Sequence, residues 1–302
     1  ILESLARFFM GLPYACGLDY AFYNIDGLRE TVGLAAPIAV FVRRIPYAGY
    51  LSVSSMLDIC LGHFGPAGRK LRQAVEIVNT DRLIPITAFE RRFSEAGLRS
   101  LLALMQATQR DPALESQLGA MRDLHVHYCD VVVLVIRVFD HRVRGEEQLA
   151  RQIEDQLETA ALEIGSTWSL DVKLLTYSSL AYALCRDVLG LKHCIELMAR
   201  RVEEGFRRQP HLALARGEYH RERGEFEPSR SALESALAGL DPAEVFWRPW
   251  VLGALAETAL ATRRFDEAAA WAHQAIRIGD DPDRLHVIPT LRATRALALA
   301  EA

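Results

Sequence analysis

Phe226 and Phe265 stand 39 residues apart, and the chain around each reads the same way. Before Phe226, apolar residues return every third or fourth position through Leu212, Ala215 and Tyr219, the spacing of one helix face. Arg223-Gly224-Glu225 interrupts the pattern, because glycine takes the left-handed conformation that ends a helix. After it, Ala232, Leu233, Ala236 and Leu237 line a second helix, and Phe226 plugs the joint. Asp241-Pro242 closes the unit and starts the next, as a helix cap followed by a first-turn proline. The layout returns with Leu252, Leu255, Ala256 and Ala259 on a first helix, Arg263-Arg264-Phe265 as turn, and Ala268, Ala272, Ala275 and Ile276 on a second, before Asp281-Pro282. Gly62-His63-Phe64 followed by Ala67, Leu71, Ala74 and Val75 is a further copy, and Gly190-Leu191 with Cys194 and Met198 is a fainter one. A helical hairpin of this length cannot bury its apolar face alone, whereas stacked hairpins bury a shared one.

The repeat settles an ambiguity left by length. With 302 residues, half of them apolar, the chain would crowd a single core but fits an elongated array comfortably. The fold class expected is all-α, with about 14–16 helices. The longest apolar runs, Leu34 to Val42 and Val131 to Ile136, are far shorter than the ~20 residues of a membrane helix. Val131 to Ile136 has β-propensity, yet the apolar pattern continues from Leu124 to Phe139 without turn residues, which predicts a buried helix. A net charge of −4 and a pI near 6.2 argue against nucleic acid as partner. The five cysteines, Cys16, Cys60, Cys129, Cys185 and Cys194, sit in apolar stretches without paired short spacing, the pattern of reduced thiols in a cytoplasmic protein. The chain opens without methionine and stops within an alanine and leucine helix pattern, so a piece of a longer polypeptide is expected.

Motifs for chemistry are sparse. Gly62 to Leu71 superficially resembles a phosphate-binding loop, but a helix precedes it, the glycine-to-lysine spacing is wrong, and Leu71 follows Lys70 where a magnesium-binding hydroxyl is needed. Of His125, His127 and Cys129, a helix would place only His125 and Cys129 on one face, which is too few ligands for zinc. Gly-x-Ser-x-Gly and Cys-x-x-Cys are absent. Between Arg200 and Arg230 eight arginines face six glutamates, a balance that reads as a solvated, salt-bridged helix surface. Trp247 and Trp250 flank Pro249 and read as a staple at a helix start. The expectation is therefore no catalytic residue, no metal and no cofactor.

Gly217, Gly224, Phe226, Ala236, Leu237 and Pro242 together resemble the tetratricopeptide repeat, with Phe265, Ala268 and Ala275 a looser match. Ser229 and Arg216 stand where that family usually has alanine and leucine, and Arg263 replaces its turn glycine. The resemblance implies a right-handed α-α superhelix, with a degenerate half over 1–145 continuous with a tetratricopeptide-like half over 146–302. It further implies that the first helices of the hairpins line a concave face that binds a protein or peptide. The ligand-facing positions then fall on His211, Leu214, Glu218, Arg221 and Glu222, and on Trp250 and Glu257 of the next unit. More loosely, Leu18 to Gly27 and Ala215 to His220 resemble the C-terminal regions of large bacterial signalling proteins that carry a serine/threonine kinase or an ATPase of the STAND type. What these resemblances imply is a non-catalytic interaction or sensor scaffold in such a protein, with a helical domain that senses a small-molecule effector as the alternative.

Overall fold

The computed structural model describes residues 25–42, 45–81, 87–164, 168–203, 209–243, 245–279 and 287–302. Among them the chain is all-α, with fourteen helices and no strand. Cys16, Asp281-Pro282 and most of Leu18 to Gly27 lie outside the described residues. The chain divides into two compact units, 1–133 and 134–302, and the division falls within one helix.

In the first unit, α1 (Ile25–Val42), α2 (Ile45–Cys60), α3 (Phe64–Thr80), α4 (Ala88–Gln109) and α5 (Leu114–Arg122) pack each on the next. Helix α4 starts on a capping box: the Thr87 hydroxyl accepts from the Glu90 amide, and the Glu90 carboxylate accepts from the Thr87 amide. Phe64 is buried at the head of α3, the plug expected of it. Lys70 lies inside α3 and donates to Asp58 and Ser54 of α2 at 2.7 and 2.6 Å, so it serves the hairpin and not a phosphate. Helix α6 (His127–Val143) crosses the division and carries Val131 to Ile136 as buried helix. The second unit continues with α7 (Glu147–Ile164), α8 (Trp168–Leu184), α9 (Val188–Glu203), α10 (Gln209–Glu222), α11 (Phe226–Gly239), α12 (Arg248–Ala261), α13 (Phe265–Gly279) and α14 (Val287–Glu301).

Six turns close in one way. Gly62, Arg110, Gly145, Arg186, Gly224 and Arg263 all adopt left-handed φ between 55° and 77°. Each donates its N–H to the carbonyl three residues back, and the following residue donates to the carbonyl five back. At Gly224 these bonds run to Arg221 and His220; at Arg263 they run to Leu260 and Ala259. This double closure uses carbonyls that a helix end otherwise leaves unpaired, and it turns the chain back into the next helix. Three of the six positions hold arginine, which pays a steric cost that glycine does not. Arg263 is exposed, so Arg263→Gly is expected to stabilise the chain by about 0.5–1 kcal/mol in a denaturant melt.

Helices α11 and α13 begin 39 residues apart, at Phe226 and Phe265. The first helices α8, α10, α12 and α14 pack side by side in that order, while α11 and α13 pair with α10 and α12. Small residues set the crossings. A Cβ on Gly217 would lie 2.5 Å from Leu233 Cγ, so α10 and α11 meet more closely than any side chain there permits. Leu191, Met198, Leu212 and Ala215 form one core, and Leu252, Ala256, Ala272, Ala275, Ala293 and Ala296 form the next.

Two local expectations are corrected. The proline that opens a helix is Pro249, not Pro242: Asp241 accepts from the Ala243 amide in a turn, and α12 starts only at Arg248. Phe226 is only half-buried and Phe265 is 47% exposed, so backbone hydrogen bonds and not an aromatic plug close those two joints.

Candidate functional site

The seven residues assigned to a concave face collect around α10 and α12, but most of them point inward. His211, Leu214, Glu218 and Trp250 are buried, and Arg221, Glu222 and Glu257 are partly so. The physical reason lies on α14. Arg292 runs beside Gly253 of α12 and reaches Glu218 on α10. Its guanidinium meets the Glu218 carboxylate in a fork at 2.5 and 3.0 Å and also donates to Glu257 at 2.6 Å. Arg221 closes the other side, at 2.9 Å from Glu218, 3.2 Å from Glu257 and 2.5 Å from Glu222. Glu218 and Glu257 occupy equivalent positions 39 residues apart, so two repeats present their carboxylates to one arginine of the third.

The charges in this cluster are strongly tuned. Burial alone would push the Glu218 carboxyl up, yet the guanidiniums of Arg292 and Arg221 outweigh it and hold the pKa near about 2. Burial likewise disfavours the Arg292 cation, but Glu218 and Glu257 keep it well above the ordinary arginine value. A carboxylate held this low is a poor general base, since an effective base has a pKa near the operating pH. What the arrangement does is join three first helices through bidentate, charge-assisted hydrogen bonds.

His211 and Trp247 meet edge to face at 5.0 Å, and Phe246, Tyr177 and Phe139 extend the aromatic packing. Trp247 and Trp250 are both buried where α12 begins.

A second ionic cluster surrounds Arg142 at the end of α6. Its side chain is 1% exposed, lies over the Tyr182 ring at 4.2 Å, and donates to Glu154 of α7 from Nε and Nη2 at 3.1, 2.8 and 2.7 Å. Tyr182 donates its hydroxyl to the same carboxylate at 2.7 Å, and Asp187 and Glu147 lie 3.4 Å from Nη1. Burial lowers the affinity of Arg142 for its proton, and the Glu154 hydrogen bonds more than restore it.

Both clusters grow from one short sequence. His141-Arg142-Val143-Arg144-Gly145-Glu146 recurs 79 residues later as His220-Arg221-Glu222-Arg223-Gly224-Glu225. In each copy the histidine Nδ1 faces the final glutamate across the left-handed glycine, at 2.5 and 2.6 Å, and the next residue is the arginine of an ion cluster. This hexapeptide pair marks the two turns in the sequence.

The remaining candidates for chemistry separate. His125 has left-handed φ and stands before α6, so it does not share a helix face with Cys129. His127 is exposed beside Asp130, and no group of three or more histidine, cysteine, aspartate or glutamate residues that could hold a metal occurs among the described residues. Cys60, Cys129, Cys185 and Cys194 form no disulfide, and burial pushes the Cys129 and Cys194 thiols up to about 12, which makes them inert. No described helix is long and apolar enough to cross a membrane. No protein-family model matches this chain, and no curated protein does.

Proposed function

We propose that the chain is a non-catalytic scaffold for protein interaction or sensing, built from tetratricopeptide-like hairpins stacked as a superhelix. The observation that carries the reading is the side-by-side packing of α8, α10, α12 and α14, with the second helices α11 and α13 starting 39 residues apart. An array of this kind offers long helical surfaces to other proteins. The charged residues first assigned to a partner are used to hold repeats together, so partner contacts fall on exposed helix positions instead. In this reading the scaffold is the regulatory C-terminal region of a larger bacterial signalling protein with a kinase or ATPase domain. Free cysteines support a reducing compartment, the cytoplasm.

The test is to immobilise the 302-residue chain, capture proteins from a bacterial lysate, and measure the binding of a purified captured protein by calorimetry. A saturable one-to-one isotherm in the micromolar range supports the scaffold. A chain that captures no protein but is raised in melting temperature by a metabolite is an effector sensor instead.

A further inference from the structure

The turn between α8 and α9 departs from its sisters in three ways. Aligned on their left-handed residues, the turns of the second unit run Gly145, Arg186, Gly224 and Arg263, so an arginine stands here where the turns on either side hold glycine. Three residues later the chain reads Gln148, Leu189, Glu227 and Asp266, so a leucine stands where each of the others has a polar side chain. Finally, α7, α11 and α13 open with Glu147, Glu227 and the pair Asp266 and Glu267, whereas the first turn of α9 has no acidic residue. Both departing side chains lie in water: Arg186 is 74% exposed, and Leu189, at 80%, is the most exposed large apolar residue among those described.

This turn lies inside the array. Arg142 of α6 reaches Asp187 from one side, and α10 packs on both α8 and α9 from the other, so the neighbouring hairpins are in place and still leave the turn open. Nothing within the chain offsets the departures. A left-handed arginine carries a steric cost that glycine does not, and the nearest carboxylate to Arg186, that of Glu222, stands 3.8 Å away, a contact too loose and too wet to return much. Strain and exposed apolar surface held at one place point to a contact outside the chain. The surrounding charges give its sign. Asp187 turns inward, accepting from the Gly190 amide at 2.9 Å and pairing with Arg142. Leu189 is therefore left between Arg186 and Lys192, which is 59% exposed and lies one turn along the same face of α9. Glu196, the first outward carboxylate of α9, stands beyond Lys192 and 3.9 Å from its ammonium.

We propose that the turn between α8 and α9 is the docking point for an acidic segment of a partner protein, one in which carboxylates flank an apolar residue. Leu189 receives the apolar residue, and Arg186 and Lys192 receive the carboxylates, so charge selects the partner and the leucine anchors it. An anionic bilayer carries the same sign of charge. It is the poorer fit, because the chain itself has a net charge of −4 and a single leucine buries little apolar area in a membrane. The proposal rests on the scaffold reading and gives it a surface.

The probe is a fluorescent peptide with two aspartates on each side of a leucine, in glycine and serine flanks, titrated by anisotropy against the full 302-residue chain at low salt. It is expected to bind with a Kd of about 0.3 mM and to weaken steeply as salt is added. Leu189→Gln and Lys192→Gln are each expected to weaken binding about fivefold with an unchanged melting temperature, since both side chains are already in water. Arg186→Gly is expected to weaken binding by a similar factor while raising the melting temperature by about 1–3 °C, a gain in stability with a loss of binding that a merely structural arginine would not show. Failure of the peptide to bind below about 1 mM, binding indifferent to Leu189→Gln, or a lower melting temperature for Arg186→Gly overturns the proposal. Binding to vesicles of phosphatidylserine and phosphatidylcholine that Leu189→Gln abolishes overturns it in favour of a membrane. A captured protein that binds the Leu189→Gln chain unchanged overturns this surface and leaves the scaffold standing, whereas failure to capture any protein overturns the scaffold and this surface with it.

Discussion

Glu218→Ala destabilises the chain by about 3–5 kcal/mol in denaturant unfolding, the cost of leaving a buried arginine without its partner. Arg292 keeps only Glu257 in that variant, and water cannot reach it to compensate, because its side chain is 7% exposed. Adding Arg292→Met recovers most of the loss: methionine fills similar volume, carries no charge, and leaves Glu257 to Arg221. The pH dependence has a definite sign. The Glu218 carboxyl is held near about 2 in the folded chain and titrates near 4.5 when unfolded, so the unfolded chain binds more protons between those values. The stabilisation, on the order of 3 kcal/mol, is complete above pH 4.5 and is lost as pH falls through 2. In Glu218→Gln that part of the acid dependence disappears.

Arg142→Ala is the second large effect, about 2–4 kcal/mol. It removes three hydrogen bonds to Glu154 and the cation over the Tyr182 ring, and it leaves the Glu154 carboxylate with the Tyr182 hydroxyl in a half-buried site. Arg142→Lys costs less, about 1–2 kcal/mol, because an ammonium retains the charge but neither the fork nor the planar stack. Thermal unfolding of the three proteins in one buffer checks the order, wild type above lysine above alanine. Equal melting temperatures for lysine and alanine would show that charge contributes nothing at this position.

The hairpins were readable from residues, and the destinations of their side chains were not. Gly224 and Arg263 were placed in turns from local pattern alone, because a left-handed turn depends on residues within five positions of it. The buried helix over Val131 to Ile136 was likewise legible from its length. The boundary of α12 was not, since Pro242 and Pro249 both follow plausible turn residues and only tertiary packing of Phe246 and Trp247 decides between them. Glu218 and Arg221 failed for a different reason. A glutamate and an arginine three apart look like an ordinary solvated pair, and what buries them is Arg292, 74 residues beyond Glu218. Helical periodicity carries no information about a partner that distant.

Native-state hydrogen exchange tests the central claim, that the ion cluster binds the repeats of α10, α12 and α14 to one another instead of facing a partner. The account predicts that amides of α10 and α14 exchange with one common opening free energy, and that Glu218→Ala lowers both together. Free exchange of α14 while α10 stays protected, with no response of α14 to Glu218→Ala, would contradict it.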